Sequence, residues 1–145
     1  MMNKRIIRMK ESLTKSKARV KELGEVFTPA SLVSEMLDKL PPDCWLCEKI
    51  FLEPSCGTGN FLVQILQRKI YRGHPPLVAL STIYGIDIMV DNVNESRKRM
   101  LQIALDSGLA FDDLAEAVRH LKRNIIVGNT LEMDFDLDWP CLKQI

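Results

Sequence analysis

The sequence predicts an α/β fold on a short parallel sheet, half of a doubly wound arrangement. Three observations predict it. Short apolar runs occur at residues 49–53, 81–87 and 124–129. Between them lie segments whose apolar residues recur at helical spacing. Each run ends in a residue suited to bind or turn: Glu53, Asp87 and Gly128-Asn129. Strands alternating with helices in this way pair in parallel through right-handed crossovers.

The composition agrees. The chain has 145 residues, 46% hydrophobic and 27% charged, the balance of one soluble globular domain rather than a disordered chain. No apolar run approaches the roughly 20 residues of a membrane span. The start has no apolar stretch of signal-peptide length. A complete large enzyme is not expected at this size. Charge is uneven: residues 1–22 hold eight bases and two acids, a net of +6, and the remainder carries −5. Such an arm can contact phosphates or form a solvated helix.

In chain order, the basic arm runs to about residue 23 and Gly24 breaks it. Thr28-Pro29 starts a helix, with Thr28 as N-cap and Pro29 in the first position. Leu32, Val33, Met36, Leu37 and Leu40 continue it, and Pro41-Pro42 stops it. Lys49 to Glu53 reads as the first strand and Ser55 to Gly59 as a turn. Phe61, Leu62, Ile65, Leu66 and Ile70 mark a helix over about 59–71, closed by Gly73 and Pro75-Pro76. Ser81 to Asp87 is the second strand. A long helix follows over about 89–107, with Arg97, Lys98 and Arg99 expected on its exposed side. Phe111, Leu114, Ala115, Val118 and Leu121 suggest one more helix. Asn124 to Asn129 is the third strand.

Cys44-Trp45-Leu46-Cys47 is a CxxC, yet Cys56, Cys141, His74 and His120 supply no second pair for zinc. Free buried thiols in a reducing cytoplasm are the expectation.

The chemistry concentrates at strand ends, where parallel sheets bind ligands. After the first strand comes Glu53-Pro54-Ser55-Cys56-Gly57-Thr58-Gly59. Gly57 and Gly59 permit tight turning and close approach of backbone to a ligand. The following helix aims free N–H groups at the turn. An acid at its head disfavours a phosphate and suits a sulfonium with an amino-acid end. Asp87 is placed to accept both hydroxyls of an unphosphorylated ribose, or to cap the next helix. Asn129 is placed to meet an adenine edge, or to form a simple turn.

Gly24-Glu25-Val26-Phe27-Thr28-Pro29, Phe51 to Leu62 and Tyr84-Gly85-Ile86-Asp87-Ile88 together resemble the amino-terminal part of adenine-specific DNA methyltransferases of restriction–modification systems. The resemblance covers about residues 24–135. It implies a truncated Rossmann-like methyltransferase fold that binds S-adenosylmethionine. By that resemblance Phe27, Thr28 and Pro29, with Glu53, Pro54, Ser55, Cys56, Gly57, Thr58 and Gly59, hold the methionine end of the cofactor. Asp87 and the adjoining Ile88 hold the ribose, and Asn129 meets the adenine in place of the family's usual acid. The family's Asn-Pro-Pro-Tyr motif, which orients a flipped adenine, does not occur here. The expectation is therefore a cofactor-binding domain over 24–135 between a basic arm (1–23) and a tail (136–145), with no catalytic residue of its own. DNA would be met through a complete enzyme or a partner subunit, the chain being a fragment or relic of such an enzyme or one part of a split one, and a homo-oligomer or a complementing chain is the expected assembly. A non-catalytic nucleoside sensor or interaction module is the alternative, and a dinucleotide dehydrogenase half is disfavoured by Glu53.

Overall fold

The computed structural model describes residues 12–134. The tail read at 136–145 and the first eleven residues of the arm lie outside them. Three parallel strands, β1 (Phe51–Glu53), β2 (Ile83–Asp87) and β3 (Ile125–Val127), form one sheet in the order β1-β2-β3. Phe51 pairs with Ile83, and Gly85 with Ile125. All five β2 residues are buried, as expected of a central strand with both neighbours in place.

Among the described residues six α-helices accompany the sheet: α1 (Lys17–Leu23), α2 (Ala30–Asp38), α3 (Asn60–Tyr71), α4 (Pro76–Ser81), α5 (Val90–Asp106) and α6 (Leu114–Asn124). Leu62 and Leu66 of α3, Leu80 of α4, Val93, Met100 and Ala104 of α5, and Ile83 and Ile125 of the sheet are at most 1% exposed. They belong to one continuous core with α2 and α6. Tyr84 and Ile86 point to the opposite face, where they pack with Ile50, Ile126 and Met133. No described helix contributes to that second cluster.

Several expectations change on contact with the structure. Thr28 is not an N-cap: Pro29 takes that position without a side-chain bond, and the Thr28 carbonyl instead accepts from Asn60 Nδ2 at 2.8 Å. Pro75-Pro76 does more than close α3, because Pro76 opens the short α4. Phe111 is 86% exposed in a 3-10 turn ahead of α6, outside the apolar stripe assigned to it. Arg97 and Arg99 are half-buried and bonded to backbone rather than free in solvent. Lys69, inside the α3 stripe, is fully buried. Its Nζ donates to the Lys49 carbonyl (2.6 Å) and Thr82 Oγ1 (2.8 Å), tying the starts of β1 and β2 together. Burial pulls its pKa below the ordinary lysine value.

Candidate functional site

The turn between β1 and α3 is held from three directions. Gly57 (φ 53°) and Gly59 (φ 91°) both lie in the left-handed region that only glycine enters cheaply. Asp87 Oδ2 accepts from Gly57 N at 3.0 Å, linking the end of β2 to the turn. From α5, Ser96 Oγ donates to the Gly57 carbonyl (2.9 Å), and Arg99 donates to the Thr58 carbonyl (2.7 Å) and Asn60 Oδ1 (2.9 Å). A Cβ on Gly59 would meet Ser96 at 2.9 Å, and one on Gly57 would meet the Phe27 ring at 2.9 Å. Gly59 is thus required by helix packing, and Gly57 by the segment that covers the turn.

That segment comes from the arm. Gly24 ends α1 in the left-handed conformation. Phe27 N donates to the Leu13 carbonyl at 2.8 Å. Arg19 pairs with Glu25 (2.6 Å) and Asp91 (2.7 Å), and Lys15 pairs with Asp91 (2.7 Å). Two of the arm's four described bases are therefore spent on pinning α1 to the start of α5. These partners drive Asp91 well below the usual carboxylate range, Arg19 more than Lys15. Asn92, fully buried, donates one amide to Glu25 Oε2 (2.8 Å) and Asp87 Oδ1 (3.0 Å). A continuous hydrogen-bond path thus runs from Arg19 through Glu25, Asn92 and Asp87 to Gly57.

Between these walls lies a cavity of about 190 Å³. Of the residues singled out in the sequence, Phe27, Thr28, Glu53, Ser55, Cys56, Gly57, Thr58, Asp87 and Ile88 line it. Pro29, Pro54, Gly59 and Asn129 do not. Pro29 caps α2, and the Pro54 carbonyl accepts from the Thr130 hydroxyl. Gly59 precedes α3. Asn129 sits beyond β3, where its Oδ1 accepts from Leu131 N at 3.1 Å. Glu25 and Asn60 also line the cavity and were not singled out as site residues. Their signal was present: Glu25 lies within Gly24–Pro29, and Asn60 follows the glycine turn.

The cavity's charge is one-sided. Glu25, Glu53 and Asp87 line it, and among the described residues no Lys or Arg does. Burial pushes the Glu53 carboxyl above its ordinary pKa, opposed by a bond from Ser55 N at 3.2 Å. Burial, aided by the Asp87 charge, pushes the Cys56 thiol up to about 12, so it stays protonated and unreactive. Asp87 Oδ1 also accepts from Met89 N at 2.9 Å. A carboxylate offers about four acceptor positions. Three internal donors therefore leave Asp87 one position, on Oδ2, not two for a pair of hydroxyls. The described cysteines are free thiols, but only Cys56 is buried as expected: Cys44 is half-buried and Cys47 is exposed, because the CxxC lies in the surface turn ahead of β1. No group of residues able to hold a metal occurs among the described residues.

Type II methyltransferase M.VspI of Vibrio sp. (strain 343) is 37% identical to this chain over 80 residues. That segment resembles a methyltransferase. It is 55% of this chain and only 17% of the length of M.VspI. No family model matches the chain, and no solved structure matches it. Among the described residues, no helix is long and apolar enough to cross a membrane.

Proposed function

We propose that this chain is the cofactor-binding part of an S-adenosylmethionine-dependent DNA adenine methyltransferase, on a truncated Rossmann-like fold. One observation carries the reading. The glycine turn, the acids ending β1 and β2 and the Phe27-Thr28 segment converge on one cavity that, among the described residues, is lined by carboxylates and by no Lys or Arg. That donor set suits a ligand bearing a sulfonium and an ammonium and opposes a pyrophosphate. It also argues against the dinucleotide alternative. The cavity is smaller than the roughly 300 Å³ at which ligand pockets usually begin, so it takes part of the cofactor and the rest lies in the open cleft.

When bound, the cofactor supplies an electrophilic methyl group. The chain's own residues bind and orient. Gly57 and Thr58 bring backbone close to the ligand, Glu53 faces its positive end, and Asp87 Oδ2 takes a ribose hydroxyl. Asn129 retains its Nδ2 donor for a base edge. With no Asn-Pro-Pro-Tyr in residues 1–145, orientation of the target adenine falls to residues outside this sequence. β1 is an outer strand of the described sheet and offers such residues an edge. The test is transfer of labelled methyl groups to DNA. The purified chain alone should transfer none. Transfer abolished by Gly57→Asp would show that it is a complete catalyst.

A further inference from the structure

The wall that the arm gives the cavity is attached differently from the rest of the molecule. None of residues 12–32 is buried, and the core begins at Val33. The ties from the arm to α5 are polar and gather on the first two turns of that helix. Lys15 Nζ lies 2.7 Å from Asp91 and 3.5 Å from Glu95, and Arg19 Nη1 lies 2.7 Å from Asp91. Asn92 accepts from Arg19 Nη2 (3.3 Å) and donates to Glu25 (2.8 Å). Part-exposed ion pairs of this kind are weak singly and are screened by salt. The attachment changes after Phe27. Asn60 Nδ2 donates to the Thr28 carbonyl (2.8 Å) and Gln64 Nε2 to the Ala30 carbonyl (2.7 Å), which ties the start of α2 to α3. Weak polar ties before Thr28 and firm ones from it onward define a hinge at Thr28-Pro29.

We infer that residues 12–27 form an ion-latched strap, which swings away from α5 about Thr28-Pro29 to admit the ligand and closes over it. Asp91 is the latch: Lys15 and Arg19 both meet it, and it does not itself line the cavity. Leu23 to Phe27 do line the cavity, so opening removes one wall and leaves Glu53, Asp87 and the glycine turn on the body. Opening also gives access to a space that, closed, is too small for a whole adenosyl ligand. Local opening of this kind needs far less free energy than unfolding of the core. The closure over an adenosyl ligand rests on the reading above, whereas the hinge and the latch do not.

The experiment is amide hydrogen exchange on the full chain, read residue by residue by NMR and first without ligand. Phe27 N, bonded to the Leu13 carbonyl at 2.8 Å, reports the strap, and Cys56 N, bonded to the Ile86 carbonyl at 2.8 Å, reports the body. Lys15→Gln should speed exchange at Phe27 about threefold and Asp91→Asn about tenfold, as expected for the loss of part-exposed ion pairs. Cys56 should change several-fold less in both. Wild type needs no variant: in about 1 M salt, where the screening length falls to about 3 Å, its Phe27 should exchange as in Asp91→Asn. If Phe27 is unmoved by the variants and by salt, the arm is a fixed wall and the strap is wrong. If Phe27 and Cys56 accelerate by the same factor, the arm opens only with the body, and the strap is wrong again. S-adenosylhomocysteine, added last, should slow exchange at Phe27 in wild type. If it binds and leaves Phe27 unchanged, the ligand does not lie beneath the strap and the inference falls. If it does not bind while Phe27 still opens with salt, the strap stands and the adenosyl-ligand reading falls.

Discussion

Asn92→Asp is the most demanding perturbation of the network, because it changes charge and keeps shape. Asn92 is fully buried, and its Nδ2 lies 2.8 Å from Glu25 Oε2 and 3.0 Å from Asp87 Oδ1. The variant turns two donated bonds into two repulsions. At about 3 Å and an effective dielectric of about 20, each repulsion amounts to about 5.5 kcal/mol. The new carboxyl avoids this by keeping its proton. From a reference pKa of about 3.9, that costs about 4 kcal/mol near pH 7. The protonated acid still regains one donated bond, and Arg19 Nη2, at 3.3 Å from the Asn92 oxygen, favours its charged form. We expect a net loss of about 2–4 kcal/mol at neutral pH. The folded-state pKa of the new acid is raised above its unfolded value. Its penalty is therefore absent below the unfolded pKa, grows as pH rises and levels off above the folded pKa. Urea unfolding of both proteins at neutral and mildly acidic pH measures the difference. A wild-type midpoint at neutral pH, or a loss that grows on acidification, would refute the buried Glu25–Asn92–Asp87 arrangement.

Other outcomes follow from the same geometry. Gly24→Ala and Gly57→Ala both place a side chain at positive φ, but only Gly57 has a neighbour, Phe27, within 4 Å. Gly24→Ala should cost about 1 kcal/mol in urea unfolding, and Gly57→Ala measurably more, with weaker ligand binding besides. Glu53 has a folded pKa raised above its ordinary 4.5, so its contribution to stability declines as pH climbs through the window above that value. In the same window, affinity for a cationic ligand should rise, and Glu53→Gln should flatten both trends in paired melting and binding series. Lys69 has a folded pKa below its ordinary 10.5, so its contribution grows with pH between the folded pKa and that value. Lys69→Met should remove that rise from a series of urea midpoints.

What the sequence revealed was whatever depended on local geometry. The β1 turn was readable because a strand, two glycines and a helix stand within ten residues, and each glycine answers a local backbone requirement. β2 and α5 were readable because apolar period and a terminal acid mark them together. The network that shapes the cavity was not readable. Arg19 meets Asn92 across 73 residues and Glu25 meets Asn92 across 67. A lone Asn or Arg in a helix carries no mark of a distant partner. Lys69 was missed although its position told of burial: it stands seven residues after Leu62, on the same face. Phe111 failed in the other direction, because an aromatic residue at helical spacing can equally sit in a turn before the helix begins. Asn129 was placed correctly at a strand end, but its loop uses its side-chain oxygen, which only the folded backbone shows.

The cavity between Phe27, the Gly57 turn and Asp87 is the proposed seat of S-adenosylmethionine. Titration calorimetry of the purified chain with S-adenosylmethionine, with S-adenosylhomocysteine as a second ligand, tests it most directly. One site for both ligands is expected, weakened by Gly57→Asp. The carboxylate lining further predicts that the sulfonium compound loses more affinity than its neutral homologue in Glu53→Gln. No heat and no thermal shift with either ligand at millimolar concentration would contradict it.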